Sequence, residues 1–151
     1  MEYLHTMARI HNIEESLDFY CGKLGMVEIS RKDLDGANCT LIFLAAKGDE
    51  EAARENKAPM LELTYNWPDE DGKVEEYTGG RNFGHLAYRV DNIYETCAAL
   101  EAAGVTINRP PRDGYMAFIK SPDGISIELL QKGKALEPAE PWTSRKNIGS
   151  W

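Results

Sequence analysis

The sequence is short of cysteine, of positive charge and of long apolar runs, and each shortage excludes something. Three cysteines, Cys21, Cys39 and Cys97, are an odd number and none lies in a CxxC spacing. A disulfide framework and a thiolate metal site are therefore not expected, and the thiols read as reduced packing residues of a cytoplasmic protein. Lysine and arginine together number 17 against 25 acidic residues, for a net charge of -8. That balance argues against nucleic acid, whose phosphates need a basic footprint, and against an anionic membrane surface. No apolar run approaches the roughly 20 residues of a membrane span. The start, Met1-Glu2-Tyr3-Leu4-His5, has neither the basic beginning nor the apolar centre of a signal peptide.

What is present is an internal repeat. His5, Arg9, Ile10, Asn12-Ile13, Glu15 and Ser16 are matched by His85, Arg89, Val90, Asn92-Ile93, Glu95 and Thr96. Gly25 and Gly104 close the segments that follow, and Leu61-Glu62-Leu63 is echoed by Ile127-Glu128-Leu129. A repeat at this scale means that one supersecondary unit occurs twice. With 151 residues, 42% of them hydrophobic, the chain is long enough for one compact domain or two small fused modules.

Residues 3–10 alternate as a strand, with His5, Met7 and Arg9 on one face. Asn12 with Glu15 resembles a capping box, and Ile13, Leu17, Tyr20 and Leu24 recur at helical spacing until Gly25. Residues 26–31 and 38–46 read as strands around an Asp35-Gly36 turn, and 47–57 as a charged loop. Residues 59–65 read as a strand, 66–82 as an acidic, glycine-containing loop. The second copy predicts strands at 85–90, 105–107, 115–120 and 125–131, and a helix capped by Asn92 and ended by Gly104. Ser121-Pro122-Asp123-Gly124 supplies turn chemistry between the last two strands. The fold class is α+β, as two tandem βαβββ modules at about 1–75 and 83–132 within one domain, 1–132. A tail, 133–151, breaks the pattern, and its Trp142 and Trp151 imply that it packs on the same domain or on a sister subunit.

Glu62 and Glu128 each point away from two apolar neighbours in a strand. Such a carboxylate is costly unless it meets a cation, a proton or a donor. For one glutamate, a solvated strand face is the simpler account. Two at equivalent repeat positions, each partnered by a histidine at the equivalent strand start, point instead to a metal held by imidazole and carboxylate without sulfur. His11 has no counterpart, since Asp91 stands there, and reads as a surface residue.

These motifs resemble glyoxalase I, the lactoylglutathione lyase family of the vicinal oxygen chelate superfamily. The residues that carry the likeness are His5-Thr6-Met7-x-Arg9, Ser16-Leu17-Asp18-Phe19-Tyr20, Leu24-Gly25-Met26 and Glu62-Leu63-Thr64-Tyr65-Asn66-Trp67. Phe83-Gly84-His85 and Ser121-Pro122-Asp123-Gly124-x-x-Ile127-Glu128 complete them, so that the resemblance runs from about residue 5 to 130. It implies metal ligands at His5, Glu62, His85 and Glu128. His5 and Glu62 would come from one subunit and His85 and Glu128 from the other, in a homodimer. It implies glutathione contacts at Arg9, Asn66, Arg81 and Arg109, although Arg9 would also serve to cover a strand end and Asn66 to cap the Trp67-Pro68 turn. The implied reaction converts the methylglyoxal–glutathione hemithioacetal to S-D-lactoylglutathione through an ene-diolate. Glu128 is then the base, and Glu62 its counterpart for the other enantiomer. One divalent metal per site is implied, Ni²⁺ or Co²⁺ in preference to Zn²⁺, because the nickel-activated branch carries histidine at position 5. The loop 66–82 falls between the lengths of the nickel-type and zinc-type patterns. Other readings of the same superfamily are an acyl-CoA epimerase-like enzyme, a three-ligand extradiol dioxygenase, a thiol transferase and a metal-free drug-binding protein. The second carboxylate, Glu62, disfavours the three-ligand designs, Arg9 with Asn66 modestly disfavours the epimerase, and stoichiometric metal would set an enzyme apart from the metal-free binding protein.

Overall fold

The structure is a computed structural model that describes residues 1–80 and 82–151. The chain forms two compact units, Met1–Gly79 and Gly80–Trp151.

In the first unit the strands are β1 (His5–Arg9), β2 (Val27–Leu34), β3 (Cys39–Ala45) and β4 (Met60–Asn66). They form one sheet in the order β1-β4-β3-β2, with β1 parallel to β4 and the other pairs antiparallel. Helix α1 (Ile13–Leu17) starts where expected, because the Asn12 side chain accepts the Glu15 amide at 3.0 Å. The regular helix that the spacing predicts does not run to Leu24. It widens into a π-helical turn over Asp18–Lys23, which turns both Phe19 and Tyr20 into the core. Two adjacent bulky rings cannot share one face of a regular helix, and an extra residue in the turn resolves this. One face of the sheet buries Ala8, Ile42, Leu44, Leu61 and Leu63. Full burial of such a large aliphatic side chain contributes about 1.5–3 kcal/mol.

The charged stretch read as a loop is helical: a 3-10 turn over Lys47–Asp49 leads into α2 (Glu50–Asn56). Only Ala53 of α2 is buried, so no apolar period announces it. An i,i+4 bridge, Arg54 to Glu50 at 2.9 Å, supports the exposed side.

The second unit repeats the pattern with β5 (Leu86–Val90), α3 (Ile93–Ala102), β6 (Met116–Lys120) and β7 (Ser126–Gln131), in the order β5-β7-β6. Asn92 accepts the amides of Tyr94 and Glu95, the expected cap. Gln131 ties the start of α3 to β7, accepting the Ile93 amide at 2.9 Å and donating to the Asp91 carbonyl at 2.8 Å. The strand expected at 105–107 is absent. Val105 and Ile107 are buried, but ladder pairing is reduced to one bridge, Arg109 with Phe118. Pro110 and Pro111 follow at once and have no amide hydrogen with which to extend it.

Residues 133–151 pack on the second unit. The Leu136 amide donates to Gly114, where a β-carbon would lie 2.0 Å from the Leu136 carbonyl oxygen, so only glycine allows this approach. Trp142 is 5% exposed, with the Arg145 guanidinium 4.8 Å above its ring and bridged to Glu101 at 2.7 Å. Arg112 donates to the Arg145 carbonyl and to Asn147. Among the described residues no helix is long and apolar enough to cross a membrane.

Candidate active site

The register of the first sheet puts the predicted residues on one face. Met7 pairs with Glu62 and Arg9 with Thr64 across β1 and β4, and Phe43 pairs with Glu62 across β3 and β4. Directly paired residues project to the same side, and alternation along each strand adds His5 and Asn66 to that side. His5 opens β1 and its Nε2 lies 2.8 Å from Oε2 of Glu62. The Glu62 side chain is 12% exposed, and its other oxygen accepts from the Thr64 hydroxyl at 3.3 Å. Phe43 meets the His5 ring edge to face, with centroids 5.6 Å apart.

The second unit reproduces this set. His85 stands just before β5, and its Nε2 lies 3.3 Å from Oε2 of Glu128 on β7. Glu128, 15% exposed, pairs in register with Ala87 and Phe118. Phe118 meets the His85 ring at 5.4 Å and 83°. Each unit therefore carries a histidine, a largely enclosed carboxylate and a phenylalanine that walls the imidazole. Neither phenylalanine is among the residues to which the sequence pattern points. Their signal is the shared apolar-Phe-apolar run, Ile42-Phe43-Leu44 and Ala117-Phe118-Ile119, on the strand antiparallel to each glutamate.

The donor atoms suit a divalent cation. An imidazole nitrogen and a carboxylate oxygen converge in each unit, the donor chemistry of intermediate and hard divalent metals. Among the described residues no group of three or more His, Cys, Asp or Glu side chains is gathered to hold a metal ion. Each pair by itself offers only two donors. His11 is exposed and packs its ring 4.3 Å from Tyr77, outside either pair.

The proposed glutathione contacts are placed differently from one another. Arg9 ends β1, exposed, on the face that carries His5 and Glu62. Asn66 ends β4 on the same face and donates to Glu75 at 2.6 Å. Arg81 lies outside the described residues. Arg109 is held by its own loop: its guanidinium donates to the Met116 and Pro110 carbonyls and bridges Asp113 at 2.8 Å. A substrate carboxylate would have to displace those partners.

Asp113 explains how that loop keeps its shape. Burial pushes its carboxyl upward, but hydrogen bonds from Arg109 and from the Met116 and Tyr115 amides outweigh it and bring the pKa down to about 2. A folded pKa below the unfolded value adds stability above pH 4, and that contribution is lost as pH falls through about 2. The shift corresponds to roughly 2 kcal/mol if unscreened. The side chain is 44% exposed, so about 1 kcal/mol is expected after solvent screening. Asp113→Asn should therefore lower the unfolding free energy by about 1 kcal/mol at pH 7. Urea titrations of both proteins should converge near pH 2, and an undiminished gap there would refute this account.

A family model for the Glyoxalase/Bleomycin resistance protein/Dioxygenase superfamily matches residues 3–129. The chain belongs to this superfamily. Among its members, lactoylglutathione lyase of Neisseria meningitidis is 40% identical over 137 residues, 87% of this chain and 91% of that protein. Lactoylglutathione lyase of Escherichia coli O157:H7 is 34% identical over 140 residues, 89% and 96% of the two chains. The solved structure of the trypanothione-dependent glyoxalase I of Leishmania major superposes with a TM-score of 0.75 at 34% identity, covering 87% of this chain and 86% of that one. The superfamily's α+β architecture is the one described above, with its second module short of a strand.

Proposed function

We propose that the chain isomerises the hemithioacetal of methylglyoxal and glutathione to S-D-lactoylglutathione, using a divalent metal held by His5, Glu62, His85 and Glu128. It is an enzyme, a lactoylglutathione lyase, as are relatives that share 34–40% identity over most of its length. The observation that carries the mechanism is the duplicated pair, His5 with Glu62 at 2.8 Å and His85 with Glu128 at 3.3 Å. Two donors are too few for a metal that keeps a defined geometry, so two half-sites must combine. In a homodimer, His5 and Glu62 of one subunit meet His85 and Glu128 of the other.

When bound, the metal stabilises, as a Lewis acid, the negative charge that develops on the two substrate oxygens. The chain's residues do the rest. The Glu128 carboxylate takes the proton from the carbon that bears sulfur and returns it to the neighbouring carbon, and Glu62 serves the opposite enantiomer. Both side chains are mostly enclosed, which limits exchange of that proton with solvent. Phe43 and Phe118 exclude water from one side of each imidazole.

Arg9 and Asn66 sit on the face of Glu62 but nearer the far end of the strands, where they suit the γ-glutamyl end of glutathione, away from the reacting carbons. Contacts to a part of the substrate that does not react are made equally in the ground and transition states, and their loss shows in KM. Arg9→Ala is expected to raise KM about tenfold or more, since a charge-assisted hydrogen bond contributes roughly 1.5–3 kcal/mol. Asn66→Ala should act in the same direction, with kcat little changed in both. The assay is thioester formation from methylglyoxal and glutathione. No thioester from the parent protein with any divalent metal would sink the proposal, and an unchanged KM in Arg9→Ala would sink the pose.

A further inference from the structure

The superfamily match ends at residue 129, yet the tail beyond it reaches back to the second half-site. Its course is set by the contacts of Leu136, Trp142 and Arg145 and then by Ile148, which exchanges hydrogen bonds with Asn108 in both directions, each 2.9 Å. Gly149 then takes a φ of 63°, a left-handed turn that favours glycine, and the chain changes direction. Beyond it Ser150 receives the Lys120 ammonium at 3.4 Å, and the Trp151 ring lies 6.2 Å from that of Phe118, tilted by 36°. Lys120 and Phe118 alternate along β6 on the face that pairs with Glu128. Trp151, Phe118, His85 and Glu128 are therefore successive neighbours.

The two half-sites differ in their need for such support. His5 lies within β1, where Met60 of β4 pairs with it in register. His85 lies one residue outside β5, and no residue of β7 pairs with it in register. Phe118 is correspondingly enclosed, at 8% exposure, while Phe43 is half-buried. A metal ligand fixed by packed neighbours loses less conformational freedom on binding than one free to rotate.

We propose that Trp151 is a positioning residue for the second half-site: it holds Phe118 in place and, through Phe118, the His85 imidazole against Glu128. This rests on the reading of His85 and Glu128 as metal ligands. The tail thus supplies by side-chain packing the restraint that the first half-site obtains from its strand.

The test is calorimetric titration of the metal-free protein with Ni²⁺, together with the visible absorption spectrum of the Co²⁺-loaded form. Trp151→Ala should weaken Ni²⁺ binding by about tenfold, the scale expected when a group that orients a ligand is lost. It should also shift the Co²⁺ bands, and Trp151→Phe should restore both. If Trp151→Ala does not fold, Trp151→Leu against Trp151→Phe makes the same comparison, with bulk kept and only the ring lost. A parent protein that binds Ni²⁺, with Trp151 variants that match it in affinity and spectrum, overturns this inference alone. A parent protein that binds neither ion overturns the metal reading and this inference with it.

Discussion

Glu128→Gln is expected to reduce turnover of the hemithioacetal by at least about 10³-fold, while the protein still folds and assembles as the parent does. A positioned general base contributes typically 10²–10⁴-fold, and this residue is also proposed to bind the metal. Glutamine keeps the shape and most of the packing of the glutamate but cannot accept the proton. The substitution does not disturb the core, because Glu128 projects from β7 to the opposite side from the buried Ile127 and Leu129. Rates of thioester formation, with light scattering to follow assembly, measure both parts of the expectation. Turnover near that of the parent would remove Glu128 from the mechanism. Glu62→Gln gives the internal comparison, since its unit presents the same pair and is proposed to serve the opposite enantiomer.

Stripping the metal with a chelator should abolish activity, and one equivalent of Ni²⁺ or Co²⁺ per site should restore more of it than Zn²⁺. The proposed donors are two imidazoles and two carboxylates, a set that would suit a metal favouring six-coordination. Zinc is most at home in four-coordinate sites, often with thiolate ligands. No cysteine is among the proposed donors. Burial, and then the nearby Glu101 charge, push the Cys97 thiol up to about 12, so it stays protonated, and burial raises the Cys21 thiol as well. Reconstitution with single ions, read as initial rates, decides the matter. Higher turnover with Zn²⁺ than with Ni²⁺ would reverse the order.

Read alone, the sequence determined the repeat, most of its strand and helix order and the pairing of each histidine with a glutamate. These are local signals. Alternation with period two places His5, Met7 and Arg9 on one face, an asparagine caps each helix, and both glutamates recur between apolar neighbours. The tertiary structure decided what depends on partners distant in the chain. Phe43 and Phe118 reach the histidines only through the antiparallel register with the glutamate strands, which no short window reveals. Arg109 reads in sequence as a glutathione contact, yet Asp113 and the Met116 carbonyl hold it in the folded loop. Residues 47–57 carry no apolar period, and residues 105–107 lose their ladder to the prolines that follow. The tail has two tryptophans and no periodicity. Its destination became legible only when Asn108, Arg112 and Glu101, each more than 30 residues away, were brought beside it. Apolar pattern and capping are properties of neighbouring residues, whereas the placement of a side chain against a site is a property of the register between strands.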